Sequence, residues 1–106
     1  MIDASAVKEI VEQYRKHGWE LRRALLSAET RMLFAGLFLN VETIESDLDA
    51  LWFSRRSRPD MEAWELRRLS ALPFALVTGV SSAAPPEERD ATLSETENEM
   101  RERTVA

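Results

Sequence analysis

The chain opens with a helical pattern. Val7, Ile10, Val11 and Tyr14 recur at the i, i+3, i+4, i+7 spacing that gathers apolar side chains on one helix face. Asp3 or Ser5 can cap its start by accepting from a free backbone N–H. At the other end Arg15, Lys16 and His17 suit the negative pole of the helix, and Gly18 offers the left-handed residue on which helices often stop. The pattern predicts a helix from Asp3 or Ser5 to His17. Beyond Gly18 the stretch Trp19–Leu26 reads as a strand, with Trp19, Leu21, Arg23 and Leu25 on one face. Ser27 then caps a short helix over Ala28–Ala35, stopped by Gly36. Val41–Ser46 is an edge strand or a loop, and Pro73–Val77 is a mostly buried last strand ending near Gly79.

Between them, Asp49–Leu69 reads as a β-hairpin, and the rest of the chain is organised around it. A four-residue loop, Ser57-Arg58-Pro59-Asp60, sets Arg56 against Met61, Phe53 against Trp64 and Leu51 against Leu66. Opposite charges, Arg55 with Glu62 and Asp49 with Arg68, then close both ends of an apolar centre. Pro59 and Asp60 are turn formers by preset φ and by local side-chain hydrogen bonding. In this register Trp52, Ala50, Ser54, Ala63, Glu65 and Arg67 occupy a second, mixed and half-solvated face. The pentapeptide WELRR occurs at Trp19–Arg23 and again at Trp64–Arg68. As antiparallel neighbours the two copies would set Arg23 across from Trp64, Glu20 from Arg67 and Arg22 from Glu65.

These elements define an α+β domain over residues 1–80: an N-terminal helix and a short second helix packed on a small antiparallel sheet of three to five strands. An all-α bundle is the competing fold. Positions 7, 14, 21, 28, 35 and 11, 18, 25, 32, 39 are apolar except Gly18, as in a heptad repeat. Gly18, following Arg-Lys-His, interrupts that heptad, and only the hairpin satisfies packing and charge together. From Ser81 onward aromatic residues are absent and large apolar ones are few. Residues 81–106 therefore read as an acidic, flexible C-terminal tail, with a weak helix over Glu87–Arg103 that a partner could order as the alternative.

Composition narrows the chemistry. Residues 85–106 carry seven acidic and three basic side chains, so most of the net charge of −5 lies there and the body is nearly neutral. That distribution argues against nonspecific nucleic-acid binding. There is no cysteine, so disulfides, thiolate metal sites and cysteine nucleophiles are excluded. Three scattered glycines exclude phosphate-binding loops, and one histidine, His17, with no serine elbow leaves no hydrolytic triad. The most apolar run, Met32–Val41, falls well short of the roughly 20 residues of a membrane span and reads as core or as part of an oligomer interface. Without a basic and then apolar leader, the expectation is a cytoplasmic protein that needs no cofactor.

Three sets of residues could carry function. Asp47 and Asp49 before one hairpin strand, with Glu65-Leu66-Arg67 on the other, outline a magnesium-dependent nuclease or phosphodiesterase site, since magnesium takes oxygen ligands and a basic residue can hold the scissile phosphate. Arginine is where such sites normally carry lysine, and Asp49 points away from Glu65 in the hairpin register. Arginines near Trp52 could contact RNA, but Glu20, Asp60, Glu62 and Glu65 interrupt the patch. The third reading is a non-enzymatic binding or regulatory module acting through protein–protein contacts, as a homodimer. Trp52 would anchor its interface, with Arg55, Arg56 and Arg67 alongside, unless another element of the chain covers it. This third reading is the one the composition favours.

Overall fold

The computed structural model describes residues 3–34, 36–38, 41–69 and 74–105. These form a small compact α+β domain. Helix α1 (Ala4–Lys16) leads to strand β1 (Glu20–Leu26) and helix α2 (Ala28–Leu33). Strands β2 (Glu42–Glu45), β3 (Ala50–Arg58), β4 (Met61–Arg68) and β5 (Ala75–Ser81) follow, and helix α3 (Pro86–Val105) ends the described chain. The sheet order is β2-β1-β3-β4-β5. All neighbours are antiparallel except β1 and β2, which run parallel. The sheet is thus mixed rather than purely antiparallel. The cause is the crossover through α2, the kind of connection parallel neighbours require.

Local signals explain the helix ends. The Asp3 side chain accepts from Ser5 N at 3.3 Å, capping α1. Gly18 has φ +86°, a left-handed conformation that suits glycine and lets the chain turn from α1 into β1. Ser27 caps α2 through Thr30 N. Ala35 lies outside the described residues, as does Pro73, the expected start of the last strand.

The hairpin exists, but its register is one residue away from the expected one. Trp52 faces Leu66, Ser54 faces Trp64 and Phe53 faces Glu65. The turn is only Pro59-Asp60: Arg58 pairs with Met61, Arg56 pairs with Glu62, and Ser57 is the extra residue of a bulge. A one-residue slip exchanges the faces of the partner strand. Trp52, Trp64 and Leu66 therefore share one face, and Leu51, Phe53, Glu65 and Arg67 the other. The expected pairs at the hairpin ends change with it. Arg55 lies opposite Ala63 and donates to His17 O at 3.0 Å, while the Asp49 carboxylate is taken by Ser27. The two WELRR segments are not neighbours. They flank β3 on either side. Arg22, displaced by a bulge in β1, reaches across to stack over Trp64 at 4.7 Å, where Arg23 had been expected.

Each sheet face has its own core. On one side Leu25, Leu48, Ala50, Trp52, Trp64, Leu66 and Val80 pack with Leu93 and Met100 of α3. On the other Val7, Ala24, Leu26, Phe34, Phe38, Leu51 and Phe53 pack together, with Ile10, Val11 and Tyr14 of α1 alongside. The acidic segment is therefore no flexible tail over residues 86–105. Leu93 and Met100 are seven residues apart, two turns on one side of α3, and both are fully buried. Polar contacts fix the helix along its length: Asp90 with Arg23, Glu97 with Trp52 Nε1 and Arg101 with Asp47, all at 2.7–2.9 Å. Among the described residues, no helix is long and apolar enough to cross a membrane.

Candidate partner-binding surface

Placement of the expected site residues decides which surface is free. Trp52 is wholly buried. Its ring meets Trp64 edge-on at 6.1 Å, and its Nε1 donates to Glu97 at 2.9 Å. The element that covers this anchor is the chain's own α3. Arg55 is tied to the end of α1, donating to His17 O and lying 5.0 Å over the Trp19 ring. Arg56 is exposed near the hairpin tip, opposite Glu62.

The three carboxylates do not come together. Asp47 pairs with Arg101 at 2.9 Å, and this contact with the guanidinium holds its carboxyl below the usual range. Asp49, at φ +50°, accepts from Ser27 N at 2.7 Å and from Ser27 Oγ at 3.3 Å, tying the start of β3 to the cap of α2. Glu65 lies on the α1 side and accepts from the Tyr14 hydroxyl. Each has a separate partner, and among the described residues no group of three or more acidic or histidine side chains is arranged to hold a metal ion.

What the structure does assemble is a half-open sheet face. On the α1 side, α1 and the residues around Phe34 and Phe38 pack over β1 and β3. Strands β4 and β5 on that side present Ala63, Glu65, Arg67, Ala75, Val77 and Gly79. Val77 is 62% exposed. Ala75 and Gly79 are exposed as well, and Ala63, Glu65 and Arg67 are half-buried. The flank of α1 rises beside this floor. A groove of about 800 Å³ runs there, lined by Ile10, Gln13, Tyr14, Lys16 and Arg67 among others.

Tyr14 is the hinge point of this groove. Its ring stacks on Phe53 at 3.9 Å between centroids and meets Trp19 edge-on at 6.0 Å. Burial pushes the phenol pKa up, and the hydrogen bond to Glu65 adds to that, so the hydroxyl stays a donor. It is no general base. Beside it, Arg67 lacks what its neighbours have. Its Nε is shut away from solvent without a hydrogen-bond partner. Among the described residues it forms no ion pair. A shielded cationic donor left unpaired is costly, of order 1–3 kcal/mol or more.

A second groove, about 680 Å³, lies on the other flank of α1 between Val11, Leu21, Leu37 and Phe38. Its charged rim is partly self-satisfied, through Glu12 and Arg15 at 2.9 Å. Among its described lining residues no buried polar atom is left unpaired. Sequence reasoning pointed to Arg67 but missed Tyr14 and Val77. Tyr14 fitted the apolar spacing of α1 and was counted as core, and nothing in the sequence says which face of β5 is left uncovered. Comparison of the chain with protein-family models, with curated proteins and with solved structures gives no match.

Proposed function

We propose that this protein is a non-enzymatic protein-binding module that receives an amphipathic helix of its partner on the open half of the sheet, beside α1. The observation that carries the reading is Arg67: a half-buried guanidinium whose shielded Nε has no partner, at the edge of a floor of Ala63, Ala75, Val77 and Gly79 in which the Glu65 carboxylate is taken by Tyr14. Two strands span roughly 10 Å, about the diameter of one helix with its side chains. A helix laid there would cover Val77 and set one carboxylate against Arg67, with Ala75 and Gly79 allowing close approach. A bidentate bond from a guanidinium to a carboxylate is among the stronger charge-assisted contacts.

The test is a pair of variants used as affinity baits in cells of the source organism, with quantitative mass spectrometry. Val77→Asp and Arg67→Glu should both lose the same partner protein, while Arg15→Glu, on the opposite flank of α1, keeps it. All three should retain wild-type circular dichroism and tryptophan emission. A partner retained equally by wild type and both variants would overturn the reading.

A further inference from the structure

The two edges of the sheet are built differently. Edge strand β2 is four residues long and bears Glu42 and Glu45. Short length and charge are how proteins keep an edge from pairing with another chain. Edge strand β5, ALVTGVS, is seven residues long and contains neither charge nor proline. Its register with β4 runs unbroken from Ala75 to Ser81, with no bulge to twist it away. Among the described residues its only neighbour in the sheet is β4, so alternate peptide groups point their N–H and C=O outward.

We infer that β5 pairs with β5 of a second copy of this chain, antiparallel about a twofold axis at Thr78, joining the two sheets into one of ten strands. The occupant follows from the self-complementarity of the strand. In that register Thr78 meets Thr78 of the other copy, a favourable cross-strand pair. Leu76 meets Val80, on the side where both already face α3, and the apolar row continues across the axis. Val77 meets Gly79, so the exposed valine finds space, and Ala75 meets Ser81. A copy docked on β2 would instead bring Glu42 and Glu45 toward their own counterparts.

Helix α3 packs mainly against β5, and Asp90, Glu97 and Arg101 tie it to Arg23 of β1, Trp52 of β3 and Asp47, so the two acidic helices lie on the same side of the joined sheet. Pairing would also join the two open half-faces into one floor of four strands, roughly 19 Å wide at the usual strand spacing, bounded by an α1 on each side. The inference stands on the sheet edge and does not depend on the partner-binding reading. A dimer that captures no partner would refute that reading alone.

The test uses the full chain, which has no cysteine of its own. Light scattering coupled to size exclusion should give twice the 12.1 kDa of the monomer. Thr78→Cys under mild oxidation should run as a disulfide-linked dimer, since directly opposed strand residues lie within bridging distance. Ala75→Cys should not, because six residues at about 3.4 Å each separate the two copies of position 75 by about 20 Å. Thr78→Lys sets two ammonium groups on the axis and should halve the measured mass while tryptophan emission stays unchanged. A wild-type monomer at 100 μM overturns the inference. So does a dimer that Thr78→Cys fails to lock, or one that Ala75→Cys locks equally well.

Discussion

Substituting Leu93 by Ala probes whether the acidic segment is an integral part of the fold. Leu93 of α3 is fully buried against the sheet, in the cluster that holds Trp52, Trp64, Leu66 and Met100. Truncating a buried leucine removes its transfer energy and leaves a cavity, together about 2–5 kcal/mol. Its position under a helix held also by Met100, Glu97 and Arg101 places it near the middle of that range, about 3 kcal/mol. Domains of this size are stable by only about 5–15 kcal/mol. The loss should therefore lower the melting temperature by roughly 12–24 °C, at about 4–8 °C per kcal/mol. Urea unfolding followed by tryptophan emission is the assay, because Trp52 and Trp64 lie directly beneath α3. Ser94→Ala, exposed on the same helix, is the control and should stay within about 0.5 kcal/mol of wild type. If Leu93→Ala cost less than 0.5 kcal/mol and left the emission spectrum unchanged, the docked helix and the account of Trp52 would both be refuted.

Other expectations follow from single contacts. The Arg23 guanidinium holds the Asp90 carboxyl below its ordinary pKa, and Arg101 does the same for Asp47. A depressed folded-state pKa adds stability that is present above the ordinary value and lost as pH falls through the folded one. Urea midpoints should thus drop below about pH 4, the ordinary carboxyl range, and Asp90→Asn should flatten that acid limb. Gly18→Ala meets no steric neighbour, since an added Cβ finds nothing within 4 Å. Its cost should be that of the left-handed backbone alone, about 1–2 kcal/mol, read as a shifted melting curve. Tyr14→Phe keeps the ring stack on Phe53 but strips Glu65 of its donor, and should cost about 1–3 kcal/mol. Arg67→Met removes an unpaired half-buried cation and should leave the free protein as stable as wild type or more so, as often happens where function and stability compete.

The fold was legible where local chemistry and periodicity agreed. Asp3, Gly18 and Ser27 marked real boundaries, and α1, β1, α2 and the hairpin lie close to where their residues put them. The hairpin register was not legible, for two physical reasons. Residues 50–54 of β3 are buried on both faces, so alternation, the usual guide to register, carries little information there. The bulge at Ser57 then shifts the count by one without leaving a compositional mark. The parallel pairing of β1 with β2 is a property of the crossover through α2, which periodicity does not report. The docking of helix α3 onto the sheet was not legible, because among its described residues only Leu93 and Met100 are fully buried. Its other anchors are polar, and Asp90, Glu97 and Arg101 look like tail residues until the strands they reach are known. The same blindness hid the surface. Trp52 could be read as an anchor or as covered, and its cover came from a segment read as flexible, whereas Arg67 stood out as a candidate without any sign that it lacked a partner.

We propose that the half-open face of β4 and β5, and not the hairpin tip or Trp52, meets another protein. A photo-crosslinking amino acid placed at position 77, and separately at position 56, tests it most directly in cells of the source organism. The account predicts a discrete adduct with a second protein species from position 77, absent when Arg67→Glu is added, and none from position 56. Adducts from position 56 with none from position 77 beyond the self-linked chain would contradict it.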